Sequence, residues 1–421
     1  MRHILRLLLC CFSALLCLRA AGTADAEGTR LEFPNGTEVA SSAEYIDLST
    51  LSHGDVDAAL PLLEQMDNLR HIDLGADRAM TAFEREGTPL PAPELVWTEG
   101  YTVRVEIPAR ETEDERLSWA DVRRIVEAVP DAEVEYRFHI SDLPFSTLSE
   151  SMDLNHIVFD DEGALIRQIL PCMQRLKVLD MDFCGVSSEK MAEIRETYPA
   201  VDVIWRIWFG PERRLSVRTD AERVLASSID GLTDLNIGEL RYCTKVKYLD
   251  IGHSVISDLS FIRPMRDLEV LILSLTRVRD LSPITGLDKL EFFEFGQSFG
   301  NGGYDLSPIG SCVNLRHVNI CCLGEVTGYE TLVNLTKLER LWIGCTTYLP
   351  DEWIEKIRLA APQAEINTTE TTGCAGTWRY TGVGYVPRYE LLREQFDYDN
   401  FQTAVALCYN DPKYGKPNRD T

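Results

Sequence analysis

Apolar residues recur at fixed offsets along the C-terminal half of the chain. One unit carries them at Val246, Leu249 and Ile251, and the same offsets recur in units that begin at Leu268, Leu290, Leu315 and Leu338. Side chains alternate between the two faces of a strand, so this LxxLxL spacing predicts one short strand in each unit. No unit can bury its apolar face alone, and neighbouring units must therefore stack. The stacked strands are predicted to share one buried spine, formed by Leu249, Leu271, Phe293, Val318 and Leu341.

The N-terminal half repeats with a longer unit that includes helices. Residues 45–48 have the composition of a strand, residues 56–66 carry apolar side chains at helical spacing, and residues 69–74 repeat the LxxLxL motif. The same order returns between residues 152 and 181. In a further echo, a proline ends an amphipathic helix and an extended run follows, at Pro130, Pro199 and Pro362. These segments predict helices that alternate with strands.

The repeat pattern divides the chain into four parts. After residues 1–26, long repeats with helices occupy residues 27–210, and short repeats of about 22 residues occupy 211–366. Residues 367–421 break the pattern, with a crowd of glycine, threonine and aromatic residues, a helical stretch near Leu391 and a frayed end. A terminal repeat must cover its open face, so this last region is predicted to be a cap.

The chain resembles the leucine-rich-repeat proteins that Gram-positive gut bacteria export. Its short units are similar to the internalin and protein-phosphatase-regulator type, because residues 280–284 and 305–309 both read Asp-Leu-Ser-Pro-Ile, the return segment of that type. The tail is similar as well, at residues 378–379 and 387–389. The resemblance implies an α/β leucine-rich-repeat solenoid, with a curved parallel sheet on its concave face, helices and turns on its convex face, and a C-terminal cap. It also implies an exported binding role without naming a ligand.

The resemblance is incomplete at one position of the repeat. Where that type of repeat has an asparagine, this chain has Cys184, Ser254, Thr276 and Ser298. Hydroxyl groups can still form hydrogen bonds to the backbone of the turn, though less well than an amide.

The N-terminus has the layout of a secretory signal peptide. Arg2, His3 and Arg6 form a basic region, residues 7–18 are apolar, and Ala24-Asp25-Ala26 offers a cleavage signal. The apolar run is too short to span a bilayer, and no later segment reaches that length. We therefore expect the chain to be secreted or held at the outer cell surface, with no stable membrane span and no visible motif for covalent anchoring.

Composition narrows the classes of partner and cofactor. The formal net charge is −25, and a chain this acidic repels nucleic acid, which we exclude as a partner. The cysteines form no CxxC pair and the histidines no HExxH motif, so we expect neither a metal site nor a cofactor. After the signal peptide the number of cysteines is odd, which argues against a complete disulfide framework. One bridge, between Cys374 and Cys408, is a hypothesis.

The strand positions that point away from the spine supply the candidate ligand-binding residues. On the predicted concave face these positions carry large apolar and charged side chains, which folding alone does not require there. Aromatic anchors with charged neighbours are typical of a protein-binding patch. The predicted contact residues are Tyr248, Ile272, Phe292, Glu294, His317 and Trp342. For Trp342 the alternative is that it packs under the cap.

We predict that the chain is not an enzyme and that it binds a protein ligand whose identity the sequence leaves open. A cell-wall or carbohydrate-binding module is the alternative, because it would use the same aromatic column. A purely structural spacer, and an enzyme with its activity in residues 367–421, are the remaining hypotheses. His253 and His317 share the predicted concave face with Cys321 and Cys322, but their repeat positions explain these residues without a catalytic site.

Overall fold

The computed structural model describes residues 28–77, 80–83, 95–98, 102–107, 117–296, 302–369, 378–381 and 383–396. The chain divides into two compact units. Unit 1 consists of residues 1–154 and 160–179, and unit 2 consists of residues 155–159 and 180–421. The predicted signal peptide, Ser298, Cys374 and Cys408 lie outside the described residues.

Unit 1 contains short strands and three helices in its described part. In chain order its elements are β1 (Arg30–Glu32), β2 (Glu38–Ala40), β3 (Tyr45–Asp47), α1 (Val56–Leu63), β4 (His71–Ala76), β5 (Met80–Phe83), β6 (Leu95–Thr98), β7 (Thr102–Ile107), α2 (Trp119–Ala128), β8 (Glu133–Ile140), β9 (Leu143–Ser146), β10 (Ser151–Asp153) and α3 (Ala164–Ile169). Strands β3, β4 and β8 pair in parallel, and β9 joins β8 as an antiparallel hairpin. The boundary between the two units in the sequence falls within strand β11 (Val178–Asp180), after residue 179.

Helix α2 shows how the local sequence sets the helix boundaries in unit 1. Ser118 accepts a hydrogen bond from the Asp121 backbone N–H at 3.2 Å, and Asp121 accepts one from the Ser118 backbone N–H at 2.9 Å. This reciprocal capping box satisfies backbone donors that have no partner inside the helix. Val122 and Ile125 face the core, and the helix ends just before Pro130, as the sequence predicts.

Unit 2 contains the short repeats. Its elements are α4 (Ser188–Thr197), β12 (Asp202–Ile204), β13 (Arg206–Phe209), β14 (Leu215–Arg218), β15 (Arg223–Leu225), α5 (Asp234–Ile237), β16 (Tyr248–Asp250), β17 (Val270–Ile272), β18 (Phe292–Glu294), β19 (Tyr304–Asp305), α6 (Ser307–Gly310), β20 (His317–Asn319), β21 (Val326–Thr327), β22 (Arg340–Trp342), α7 (Asp351–Ala360), β23 (Glu365–Asn367), β24 (Tyr380–Thr381), β25 (Gly384–Tyr385) and α8 (Pro387–Phe396).

One parallel sheet runs through the short repeats, in the strand order β15-β16-β17-β18-β20-β22-β23. The strands pair in register, and the middle residues of five neighbouring strands form one fully buried row: Leu249, Leu271, Phe293, Val318 and Leu341. The predicted spine is therefore confirmed, and this ladder of one strand per repeat is the arrangement of a leucine-rich-repeat solenoid. We call the face on which these five residues lie the inner face of the sheet.

The ladder is longer at both ends than the five predicted LxxLxL units. Strand β23 coincides with the extended run predicted after Pro362, whereas strand β15 was missed. The missed unit carries alanine at two of its three spine-type positions, Ala221 and Ala226, beside Val224. All three side chains are buried, so the unit contributes to the core although it lacks the leucines of the pattern.

The turns after strands β16 and β17 use side-chain hydrogen bonds in place of the missing asparagine. The Ser254 hydroxyl donates to the Ile251 carbonyl and the Thr276 hydroxyl to the Leu273 carbonyl, both at 2.8 Å. Both hydroxyl groups belong to buried residues, so these bonds satisfy polar atoms that water does not reach. The substitutions at the asparagine position are therefore compatible with the turn.

The echoes at Pro130 and Pro199 correspond to two similar hairpins. In one, Thr147 accepts the backbone N–H of Tyr136 at 2.9 Å; in the other, Thr219 accepts that of Trp205 at 3.1 Å. The next residue of each strand is a buried arginine that pairs with aspartate. Arg137 bonds to Asp73, and Arg206 bonds to Asp182 through two guanidinium nitrogens. The sequence echo thus marks a repeated strand-and-hairpin structure.

Candidate functional site

The outer face of the unit 2 sheet carries all of the predicted contact residues. Its first column is Tyr248, Val270, Phe292, His317 and Arg340, and its second is Asp250, Ile272, Glu294, Asn319 and Trp342. Both columns therefore lie on the face opposite the buried row. Tyr248 is half-buried, whereas the other five predicted contact residues are each 5% exposed or less.

A segment from the C-terminal region covers this face. We call residues 378–381 and 383–396, which include helix α8, the covering segment. Its buried apolar side chains share one cluster with residues of the sheet: Leu225, Val270, Ile272, Phe292, Cys321 and Trp342 from the sheet side, and Trp378, Val386, Tyr389, Leu392 and Phe396 from the segment. The region predicted to cap the terminal repeat therefore packs, in its described part, across the outer face.

Aromatic rings form the contact at one end of the covering segment. The Trp378 ring lies 5.4 Å from Phe292, 5.5 Å from Trp342 and 6.3 Å from His317, measured between ring centroids. At the other end, Phe396 lies 6.2 Å from Tyr248 in an edge-on arrangement. Such pairs stabilise by about 0.5–1.5 kcal/mol each beyond the area they bury.

Glu294 is the polar centre of the contact. Its side chain has no exposed surface, and its carboxylate accepts the Trp378 indole N–H at 2.7 Å and the Arg379 Nε–H at 3.2 Å. A second Arg379 nitrogen bonds to the other carboxylate oxygen, which also accepts the Ser274 hydroxyl at 2.9 Å. A buried carboxylate is tolerated only with such partners, because its desolvation costs several kcal/mol.

Weaker polar contacts lie at the margin of the covering segment. Arg388 donates to the Glu291 carboxylate at 2.6 Å, and both side chains are about one-third exposed. Arg223 of strand β15 donates to the Gln395 carbonyl at 3.2 Å. The Arg388–Glu291 pair, like that of Arg379 with Glu294, places an acidic group of the sheet opposite a basic group of the segment.

His317 is buried beneath the covering segment. Its ring stacks on Phe292 at 5.9 Å, and its Nε2 lies 3.2 Å from the Glu339 carboxylate. Burial is the largest influence and lowers the pKa of His317 to about 4, although the hydrogen bond to Glu339 acts to raise it. The imidazole is therefore neutral at pH 7.

The predicted contact residues occupy the predicted face, but the face is not open. The sequence expectation assumed that large apolar side chains at these positions have no role in folding, and the covering segment supplies that role. For Trp342, the alternative that it packs under the C-terminal region matches its full burial against Trp378. One signal pointed this way: Tyr389, Leu392 and Phe396 form an apolar stripe at helical spacing, and such a stripe needs a surface to pack on.

The corresponding face in unit 1 has a different composition. Tyr45 and His71 begin neighbouring strands and stack at 5.6 Å, and the Tyr45 side chain is 45% exposed. Glu135 lies 3.5 Å from His71 and binds Arg137, which also binds Asp73. The hydrogen bond that His71 donates to Glu135 is the largest influence on that imidazole and raises its pKa.

Few other groups in the described part of the chain are placed to bind a metal ion or to act as a nucleophile. Within it, no group of three or more His, Cys, Asp or Glu residues is placed to hold a metal ion. No helix there is long and apolar enough to cross a membrane. His253 is exposed, whereas Cys321 is buried in the apolar cluster beneath the covering segment. Burial also raises the pKa of two other thiols, Cys172 to about 12 and Cys312 to about 11, which disfavours the reactive thiolate.

No protein-family model matches the chain, and no curated protein matches it. Among solved structures, the chain is similar to an internalin C2 of Listeria monocytogenes, at 13% identity over 62% of this chain and 78% of that one, with a TM-score of 0.28. It is also similar to an internalin InlF of the same organism, at 13% identity over 80% and 86%, with a TM-score of 0.29. A leucine-rich-repeat protein of Leptospira interrogans shares 14% identity over 73% and 74%, with a TM-score of 0.28. The leucine-rich-repeat fold of unit 2 is shown by its own strand ladder.

Proposed function

We propose that this chain is an exported, non-catalytic leucine-rich-repeat protein that binds another protein through the outer face of the unit 2 sheet. The contact residues are those predicted from the sequence: Tyr248, Ile272, Phe292, Glu294, His317 and Trp342. The observation that carries the proposal is that this face already holds a polypeptide segment, through ring packing and a buried carboxylate.

The side chains of the outer face match a protein ligand better than they match a glycan. Phe292 and Trp342 present their rings to another aromatic residue, Trp378, and Glu294 is satisfied by an indole N–H and a guanidinium. Aromatic residues and arginine are enriched at protein–protein interfaces and dominate their binding energy. A neutral glycan offers neither an aromatic ring to Phe292 and Trp342 nor a positive charge to this carboxylate.

Export is proposed from the N-terminal pattern, with cleavage after Ala26. Expression of the full chain in a bacterial host that exports proteins should release a mature form into the medium, whose first residue is Glu27. N-terminal sequencing of that form tests the cleavage site. Retention of residues 1–26 in the cell-associated chain would contradict the export proposal.

Binding through the outer face is tested by site-specific crosslinking. A photoreactive amino acid at Tyr248, which is half-buried at the edge of the covered face, should capture a protein ligand from the cells or medium of the source organism. The same amino acid at Tyr348, which is 71% exposed, is the matched control and should not capture it. Equal capture at both positions, or capture of wall glycan alone at Tyr248, would overturn the proposal.

A further inference from the structure

The covering segment itself indicates what kind of ligand the outer face accepts. We propose that the ligand is a protein segment with the same chemistry, namely an indole beside a guanidinium followed by an amphipathic helix, and that it displaces the covering segment. This inference rests on the proposed function and specifies its partner. The covering segment is then an internal competitor for the site.

The indole requirement follows from the geometry around Trp378. Its ring is 2% exposed and lies within 5.5 Å of both Phe292 and Trp342. Its N–H reaches Glu294 at 2.7 Å, so one side chain satisfies both the apolar surroundings and the carboxylate. Phenylalanine would fill the space but leave that carboxylate oxygen with one donor fewer.

The guanidinium requirement follows from the state of Glu294. The sheet alone provides this carboxylate with a hydrogen bond from Ser274, whose oxygen is held in place by the Gly296 backbone N–H at 3.1 Å. Arg379 supplies the compensating positive charge, through nitrogens that reach both carboxylate oxygens. A planar guanidinium fits such a two-oxygen acceptor better than an ammonium group does. A ligand without this group would bury the carboxylate unpaired, which is a strong basis for selection.

The helix requirement follows from the two sides of α8. Tyr389, Leu392 and Phe396 are buried on the side that faces the sheet, whereas Leu391 is 56% exposed. Residues at spacings of three and four lie on one face of a helix, so a single apolar stripe makes the contact. This is the helix-in-groove mode of recognition, with charged contacts such as Arg388 to Glu291 at its margin.

A partner segment can displace the covering segment because both would make the same contacts with the outer face. The covering segment acts as a tethered ligand, and a free segment must outcompete it. A partner segment wins when further contacts with the rest of the partner offset this advantage. Weakening the tethered copy should therefore open the face to an untethered copy.

The test uses a fluorescent synthetic peptide with the sequence of residues 378–396 and the full chain. The receptor is the chain that carries Leu392→Ala in its own covering segment, and anisotropy measures the dissociation constant. We expect the peptide to bind this receptor at least ~30-fold more tightly than it binds the wild-type chain, because truncating a buried leucine weakens the tethered copy by about 2 kcal/mol or more. Leu391→Ala, one residue away on the exposed side, is the matched control and should bind the peptide as the wild type does.

Variants of the peptide test the indole requirement and the guanidinium requirement. Replacing the residue equivalent to Trp378 by phenylalanine, or that equivalent to Arg379 by lysine, should weaken binding by about tenfold or more, since each change leaves Glu294 less well satisfied. Replacing the residue equivalent to Leu391 by alanine should change nothing. Equal binding by the lysine and arginine peptides would overturn the guanidinium requirement.

A second measurement covers the case in which Leu392→Ala disturbs folding. A protease site placed within residues 370–377 of the otherwise unchanged chain allows the tether to be cut, and excess labelled peptide should then exchange into the face. Failure of the peptide both to bind the Leu392→Ala chain and to exchange into the cut chain would show that the covering segment is a permanent part of the fold.

The proposed function is judged separately, by crosslinking at Tyr248. A partner whose crosslinking at Tyr248 is not reduced by excess peptide added before illumination would refute this inference while leaving the proposed function intact.

Discussion

Two histidines occupy equivalent places in the two units. His71 begins strand β4 in unit 1, and His317 begins strand β20 in unit 2. Each stacks on an aromatic ring of a neighbouring strand in its sheet, Tyr45 at 5.6 Å and Phe292 at 5.9 Å. The strand register and the neighbouring ring are therefore nearly the same for the two imidazoles.

The pKa values of the two histidines nevertheless shift in opposite directions. The hydrogen bond that His71 donates to Glu135 raises the pKa of His71, whereas burial lowers the pKa of His317 to about 4 despite the nearby Glu339. The Trp378 ring lies 6.3 Å from His317, within the covering segment. The repeat therefore sets the position of each histidine in its sheet, whereas the groups around the imidazole set its pKa and hence its charge.

The largest expected effect comes from removing the group that holds the covering segment. Glu294→Ala should lower the free energy of unfolding by about 3 kcal/mol, because the buried Trp378 indole N–H and the Arg379 guanidinium, whose side chain is only 21% exposed, lose the carboxylate that they bind. Urea unfolding followed by circular dichroism measures the change. Glu291→Ala, whose carboxylate is about one-third exposed, is the control and should cost under 1 kcal/mol. Similar losses in both variants would contradict a buried anchor at Glu294.

The next effect is a loss of stability in acid that depends on His317. As the pH falls below about 6.5, the unfolded imidazole takes up a proton while the buried one stays neutral until about pH 4. The difference destabilises the fold by at most about 3 kcal/mol at the acid end of this window. His317→Gln should therefore lose less stability than the wild type between pH 7 and pH 4, measured by urea unfolding. Identical pH profiles would show that His317 is not shielded from protons.

In unit 1 the sign is reversed and the effect is smaller. Because the pKa of His71 is raised, its pairing with Glu135 stabilises the fold at pH values below the ordinary pKa, and this contribution is lost as the pH rises through the folded value. The ring is about one-quarter exposed, so solvent screening reduces the size of the effect. An NMR titration of the imidazole protons should place the midpoint of His71 above 6.5 and that of His317 far below it. His71→Gln assigns the first resonance, and the opposite order of midpoints would refute the comparison.

The smallest effect concerns the margin of the covered face. A double-mutant cycle on Arg388→Ala and Glu291→Ala should give a coupling energy of about 0.2–1 kcal/mol, because both side chains are partly exposed to water. Unfolding of the four variants in urea measures it, and added salt should reduce it. A coupling energy above 2 kcal/mol would mean that this pair, and not Glu294 alone, anchors the covering segment.

The inner face of the sheet was predictable because its requirement is local and repeated. Leu249, Leu271 and Phe293 stand at the same offset in successive units, and each is buried in register with its neighbours. Side chains alternate between the two faces of a strand, so a shift by one residue would move the whole row to the opposite face. Strand β15 escaped prediction because Ala221 and Ala226 are too small to stand out in an apolar pattern.

The sequence predicted that the two hairpin regions repeat, but it did not predict the partners of their arginines. The echo between residues 130–138 and 199–207 indicated a repeated element, and the strands and hairpins confirm it. The partners of its arginines were not predictable. Arg137 binds Asp73 and Arg206 binds Asp182, which lie 64 and 24 residues away in the sequence. The spacing differs between the two copies, so no fixed offset could reveal both pairs.

The sequence by itself determined the repeat, the register of its strands and which side chains share the outer face, since these depend on the alternation of residues within each unit. Only the tertiary structure decided that Phe292 and Trp342 are buried and that Glu294 is paired, because their partners Trp378 and Arg379 lie beyond the last repeat. An apolar side chain on a sheet gains the same free energy whether its own chain or a partner covers it, so composition cannot separate a docking surface from a covered one.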